Sequence, residues 1–310
     1  AWLLDVHGAF LKGQFEDGEV LYMKVPQGFE KFYPGNVVLR LLTTIYGLKQ
    51  AALAYWKETL KAFKFMKYTR SKADPCLQFK WTALGLVLWM SWVDDFFVTG
   101  HAKNVHADKE VMKKLFPCED LGEVKEYVGC QVERDWDEPS IKLTQPVLLQ
   151  SFQDEFDLSE IGNPVTPAVP GTSLSKTATV GELTPEAQSL YRKGTGKLLH
   201  LTRWTRPEIG NAVRELSRYM GGALVSHLKA MYRCMGYCRG TPTRGIKIKP
   251  NEKWDGNPNF KFKVKGRADS DYAKDVETRR SISGWLTFLC GAVITTKSKM
   301  MPIVALSVTE

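Results

Sequence analysis

Two adjacent aspartates, Asp94 and Asp95, stand between two apolar runs, residues 84–92 on one side and Phe96 to Thr99 on the other. A strand-turn-strand hairpin buries both runs while keeping the two carboxylates at the turn. The same pair excludes a membrane span: the apolar run is about ten residues where a spanning helix needs roughly 20, and it ends in charge. Neighbouring carboxylates in a half-buried place repel each other and lose hydration, so they hold a cation or one of them carries a raised pKa. A hard divalent ion such as magnesium takes carboxylate oxygens and completes its shell with water and phosphate. A plain solvated turn is the commoner use of such a dipeptide.

A third aspartate adds to the pair. Asp5 follows Trp2, Leu3 and Leu4 at the end of an expected strand, and an aromatic, Phe10, lies five residues on. Three aspartates on adjacent strands suit two cations roughly 4 Å apart, the arrangement that activates a 3′-hydroxyl and stabilises a leaving pyrophosphate. For Asp5 alone, a turn residue at a strand end is the simpler alternative.

With 310 residues the chain has room for two or three compact units, and 44% hydrophobic with 25% charged residues excludes collagenous, low-complexity and wholly disordered chains. Residues 2–161 alternate short apolar runs with amphipathic stretches, the pattern of a mixed α+β domain. A helix is expected over residues 51–65, where Ala54, Tyr55, Leu60 and Phe63 recur without Pro or Gly, and a second over residues 105–116. Residues 127–134 and 140–143 read as a hairpin with Trp136 to Pro139 at its turn. Residues 162–184, rich in Pro, Gly, Ser and Thr, read as a linker. A helical block follows over residues 185–238, broken near Arg206-Pro207 and Gly221-Gly222; residues 241–259 read as loop and 260–303 as short strands. The opening AWLLDVHGAF has no basic leader or cleavage site, so the sequence reads as an excerpt of a longer one.

The 43 basic and 34 acidic residues leave a net charge of +9, which favours a polyanionic partner. Residues 229–267 alone carry eleven Lys and Arg against two acids. Aromatics alternate with Lys261, Lys263 and Lys265 in this tract, as in a groove that follows a phosphate backbone; an edge strand protected by lysines is the alternative. Six cysteines without C-x-x-C or Cys/His spacing argue against zinc and for reduced thiols in a cytosolic or nuclear setting. Cys234 and Cys238, four apart on an expected helix, read as small hydrophobes on one face. Gly194 to Lys197 lacks the spacing of a phosphate loop and reads as a helix-packing turn, and no H-E-x-x-H or G-x-S-x-G is present.

Taken together, DVHGAFLKG, IYGLKQAALAYW, WVDDFFVTG, YVGCQVER, LLHLTRWTRPEIGNAV and ADSDYAKDVETRRSISGW resemble, in order and over nearly the whole chain, the reverse transcriptase and early ribonuclease H regions of copia-type LTR retrotransposon polyproteins. The resemblance implies an α+β right-hand polymerase palm with truncated fingers over residues 1–161. It also implies a linker and helical thumb or connection over 162–259, and a truncated ribonuclease H-like α/β segment over 260–310. The implied activity is RNA- and DNA-templated DNA synthesis with two magnesium ions, manganese being the substitute. Its partners would be an RNA template, a DNA primer, deoxynucleoside triphosphates and other Pol and Gag products. The setting would be a cytoplasmic virus-like particle with nuclear entry, and no membrane.

Residue by residue, Asp5, Asp94 and Asp95 match the catalytic metal ligands, and Phe10 the gate against a ribose 2′-hydroxyl. Tyr46 and Gly47 match the turn beside the incoming nucleotide, with Lys49 and Gln50 near it. Tyr127, Val128, Gly129 and Cys130 match the primer grip, and Asp269 the first ribonuclease H carboxylate. Trp92 stands where the family has Tyr, His7-Gly8 replaces a polar pair, and Ala52 replaces Pro. A basic fingers segment is expected before Asp5 and a ribonuclease H glutamate two residues after Glu310. Glu310 itself would face about 200° away from that position on a helix, so the ribonuclease H part is expected to be inactive. Two rival readings are a decayed or domesticated product that binds nucleic acid without catalysis, and a carboxylate-metal phosphohydrolase built on Asp5, Asp94 and Asp95. The Y-G-L-K-Q-A motif and the basic tail disfavour the latter.

Overall fold

The first strand, β1 (Trp2–Val6), lies inside a sheet and buries Leu4 and Val6 on one face while Asp5 takes the other. In the computed structural model, which describes residues 1–175, 181–252 and 254–307, the chain divides into two units, Ala1–Val124 and Lys125–Glu310. The boundary expected at residues 161 and 162 falls inside the second unit, where α3 (Pro146–Glu155), packed in its helical core, joins the segments on either side.

After β1 the first unit continues with the small hairpin β2 (Tyr22–Lys24) and β3 (Val38–Arg40), α1 (Ala51–Phe65), β4 (Thr69–Arg70), β5 (Leu77–Thr82), β6 (Gly85–Trp92), β7 (Asp95–Thr99), α2 (Ala102–Leu115) and β8 (Cys118–Glu123). The main sheet runs β4-β5-β6-β7-β1-β8, every pairing antiparallel. The expected helix over residues 51–65 is present with those bounds; the second begins three residues earlier than its apolar pattern, at Ala102. Along α1 the residues Ala51, Ala54, Tyr55, Ala62 and Phe63 recur at helical spacing and are buried. The helix stops in a Schellman motif: Lys67 adopts φ 64°, and the Tyr68 N–H donates to the Phe63 carbonyl at 2.9 Å. Trp89 meets Phe63 and Phe96 edge to face at 5.7 and 6.0 Å, and Phe63 and Phe96 lie tilted at 5.9 Å, in the core beneath, each burial being worth roughly 1.5–3 kcal/mol.

In the second unit, β9 (Glu126–Tyr127) and β10 (Cys130–Asp135) form a hairpin that pairs on with β11 (Ser140–Thr144) and β12 (Ile246–Ile248). That last strand lies within the stretch expected to be loop; its three residues extend the sheet through a partner about a hundred residues away, which local pattern does not reveal. The helices α4 (Pro185–Trp204), α5 (Gly210–Ser217) and α6 (Val225–Arg239) surround a core containing Tyr191, Leu198, Leu201, Met231 and Met235. The breaks fall where Pro207 and Gly221-Gly222 put them. Gly194 lies within α4 and makes no turn. A Cβ there would stand 2.5 Å from the Met231 sulfur, so glycine permits the close approach of α4 and α6. The chain closes with a meander, β13 (Val264–Ser270), β14 (Ile282–Leu289) and β15 (Ala292–Met300). Among the described residues no helix is long and apolar enough to cross a membrane.

Candidate active site

The hairpin of β6 and β7 closes in a two-residue turn, because Trp92 pairs with Asp95 and leaves only Val93 and Asp94 between them. Val93 adopts φ 56°, a left-handed conformation costly for a β-branched residue. The Val6 N–H donates to the Asp94 carbonyl at 2.9 Å, which fixes the turn against the end of β1. On the other face from the core, Asp5 lies opposite Asp95 in the β1–β7 register and opposite Glu119 in the β1–β8 register. Residues directly opposite in antiparallel strands project to the same side, so Asp95, Asp5 and Glu119 form a row of carboxylates across three strands. His7 approaches Glu119 at 4.0 Å, both well exposed.

Electrostatically the row sets like charges close together. Burial, then the charges of Asp94 and Asp5, hold the Asp95 carboxyl above the usual carboxylate range. Among the described residues no three His, Cys, Asp or Glu side chains stand together closely enough to hold a metal ion by themselves. The donor chemistry nevertheless suits a hard divalent cation, since magnesium is commonly held by one or two carboxylates with phosphate and water completing the shell.

Beside the aspartates, Gly8 takes φ 61° and opens a 3-10 turn over Ala9–Lys12 that carries Phe10. The Phe10 ring is half-buried and stands edge to face with Tyr46 at 5.1 Å and Tyr55 at 6.4 Å. Tyr46 is exposed on a turn whose third position, Gly47, has φ 91°, as a type II turn requires. Lys49 is exposed, while the Gln50 side chain donates to Glu19 at 2.7 Å. The Thr44 hydroxyl donates to the Phe10 carbonyl at 2.5 Å and ties the two segments together. Thus Phe10, Tyr46 and Gly47 are brought to one place, and Gln50 has an internal partner.

Tyr127, Val128, Gly129 and Cys130 form one tight hairpin in the second unit, Tyr127 pairing with Cys130 around Val128 and Gly129 at φ 50° and 72°. Asp269 is exposed on β13, its carboxylate accepting from the Ser270 N–H at 2.9 Å. Asp271 accepts from the Ile282 N–H, and Asp275 is buried against Arg218 at 2.6 Å. Glu310 lies outside the described residues. In the basic tract, Lys263 pairs with Glu252 at 2.6 Å, and Lys247 and Lys249 both pair with Glu138. Lys261 and Lys265 are exposed and have no ion-pair partner among the described residues; Lys265 lies on β13, an edge strand. Cys234 and Cys238 are buried on α6, and all six cysteines are free. Motif spacing does not reveal Glu119, because only strand register places it beside Asp5.

The chain matches the family model described as reverse transcriptase (RNA-dependent DNA polymerase) over residues 2–170. It belongs to the reverse transcriptase family. Within that family it is of the copia type, and transposon proteins are among its relatives. It is 30% identical to the retrovirus-related Pol polyprotein from transposon TNT 1-94 of Nicotiana tabacum, over 99% of this chain and 23% of that one. Identity to the corresponding polyprotein from transposon RE1 of Arabidopsis thaliana is 29%, over 99% of this chain and 20% of the relative. A putative transposon Ty5-1 protein of Saccharomyces cerevisiae is 25% identical, and there the match covers 92% of the relative. The chain therefore spans about a fifth to a quarter of the Pol polyproteins it matches.

Proposed function

We propose that this chain is the catalytic region of an RNA- and DNA-templated DNA polymerase of a retrotransposon, acting by two-metal nucleotidyl transfer. The observation that carries the reading is the register of Asp5 opposite Asp95 beside the turn that holds Asp94. These three carboxylates would hold the divalent cations, magnesium or manganese, which when bound supply charge stabilisation to the attacking 3′-hydroxyl and the leaving pyrophosphate. Phe10, braced by Tyr46 and Tyr55, would pack against the sugar and leave no room for a 2′-hydroxyl. Gly47, Lys49 and Gln50 would border the nucleotide, with Gln50 released from Glu19. The Tyr127–Cys130 hairpin would bear on the primer end, and Lys261, Lys263 and Lys265 on the nucleic-acid backbone.

In this reading residues 1–161 are palm and part of the fingers, 162–259 linker and thumb or connection, and 260–310 the start of a ribonuclease H-like fold. An RNA template, a DNA primer and deoxynucleoside triphosphates are its substrates. Other Pol and Gag products in a cytoplasmic particle would be its company. Asp269, with Asp271 and Asp275 engaged elsewhere, would need carboxylates from other residues to cleave RNA.

The test is primer extension by this chain on an RNA template with magnesium. Asp94→Asn should abolish extension while leaving template-primer binding intact, because an amide cannot replace an anionic ligand. Extension within about tenfold of the parent would sink the assignment. A parent chain that binds template-primer and never extends it would favour the second reading, nucleic-acid binding without catalysis, for which the replacements at His7, Gly8, Ala52 and Trp92 speak.

A further inference from the structure

Tyr55 is 3% exposed in the core of the first unit, its ring edge to face with Phe10 at 6.4 Å and Phe116 at 6.2 Å. Its hydroxyl is fully buried and has no hydrogen-bond partner among the described residues. A buried polar group left unpaired costs roughly 1–3 kcal/mol, and phenylalanine would fill the same space without that cost. Where the hydroxyl lies gives it a use. Val6 belongs to the same buried cluster as Tyr55, and its N–H holds the Asp94 carbonyl, so Asp94 stands at the rim of the core that Tyr55 occupies. Burial raises the Tyr55 phenol well above the ordinary tyrosine value, and Asp94, Cys118 and Asp5 add to that rise in this order. The group is therefore a neutral O–H donor within electrostatic reach of two of the three aspartates.

We propose that Tyr55 is a positioning residue for the aspartate site, its phenol O–H donating to the Asp94 carboxylate when a divalent cation is bound there. Asp94 is exposed and sits on a two-residue turn, so its side chain has rotamer freedom that cation binding must remove. A donor at the edge of this core would take one carboxylate oxygen and leave the other for the cation, as outer-shell partners of metal ligands do. Without a cation the hydroxyl has no acceptor among the described residues; in the loaded site it is satisfied. The inference rests on the reading of Asp94 as a cation ligand.

The experiment is titration of the full chain with Mn2+ alone, followed by electron paramagnetic resonance, beside calorimetric melting in metal-free buffer. Tyr55→Phe should melt at the same temperature as the parent or higher, while its Mn2+ affinity falls at least about tenfold. Asp94→Asn serves as the reference. Loss of Mn2+ binding in Asp94→Asn with affinity within twofold of the parent in Tyr55→Phe would overturn this inference and leave the reading of the aspartates standing. Unchanged binding in Asp94→Asn would overturn both. A lowered melting temperature in Tyr55→Phe would show that the hydroxyl is already partnered, and would overturn the inference as well.

Discussion

Asp5 and Asp95 are cross-strand partners in the pairing of β1 with β7, and both carboxylates project from the sheet face opposite the aromatic core. Like charges directly opposite each other destabilise a sheet. The protein keeps this arrangement with a further carboxylate, Glu119, on the other side of Asp5. Negative charges set side by side raise the cost of keeping each carboxylate ionised.

Asp95 should therefore cost stability at neutral pH. Its folded carboxyl pKa lies above the ordinary value of 3.8, so between those two values the folded state binds more protons than the unfolded one, and stability falls as pH rises through that window. Asp95→Asn should melt on the order of 2–4 °C higher at pH 7. Magnesium should raise the melting temperature of the parent, with chelator reversing the gain, and should leave the variant unmoved. An equal magnesium response in both would disprove the cation site at Asp95.

The turn beside it stores backbone strain. Val93 at φ 56° is a β-branched residue in a conformation that asparagine tolerates well. Val93→Asn should stabilise the first unit by about 0.5–1 kcal/mol in calorimetry, whereas Val93→Gly gains less because glycine adds freedom to the unfolded chain. A destabilised Val93→Asn would mean that the valine side chain packs well enough to outweigh its strain.

The lysines of the basic tract should separate by partner. Lys261 and Lys265 are free of ion pairs among the described residues, and Lys263 is held by Glu252. Replacing Lys261 or Lys265 with Gln should flatten the dependence of log affinity on log salt for template-primer by roughly 0.7–0.9 each. Lys263→Gln should change it by less than half as much. Three equal effects would show that the Glu252 pair opens on binding.

His227 should make the second unit sensitive to mild acid. It is fully buried and stacked on Tyr219 at 3.9 Å; its Nδ1 accepts from the Leu224 N–H, so its Nε2–H donates to the Ser175 carbonyl. Burial lowers its pKa against the opposing pull of that carbonyl and of Glu277. Unfolded chains bind the proton first, so the stability His227 contributes is complete above about pH 6.5 and is lost as pH falls below it towards the folded value. Between pH 7.5 and 5 the melting temperature should fall more steeply in the parent than in His227→Gln. Parallel curves would show that another group titrates.

Local pattern made the pieces legible. The spacing of Ala54, Tyr55 and Phe63 marks α1, Pro207 and the Gly221-Gly222 pair mark the helix breaks, and two apolar runs around Asp94-Asp95 mark the hairpin, because each rests on residues within a turn or two of one another. The family was legible too, since six short motifs in order need no fold to be recognised. What the sequence left open depends on pairings across tens of residues or more. Register alone sets Asp5 against Asp95 and brings Glu119 beside them. Only packing leaves the Tyr55 hydroxyl unpaired among the described residues and buries His227, and only β12 joining β11 shows that Lys247 and Lys249 pair with Glu138 and do not stand free. A strand shifted by one residue would turn every side chain to the other face with its composition unchanged, and the burial of Leu4, Val6, Phe96 and Val98 holds the register that puts the aspartates together.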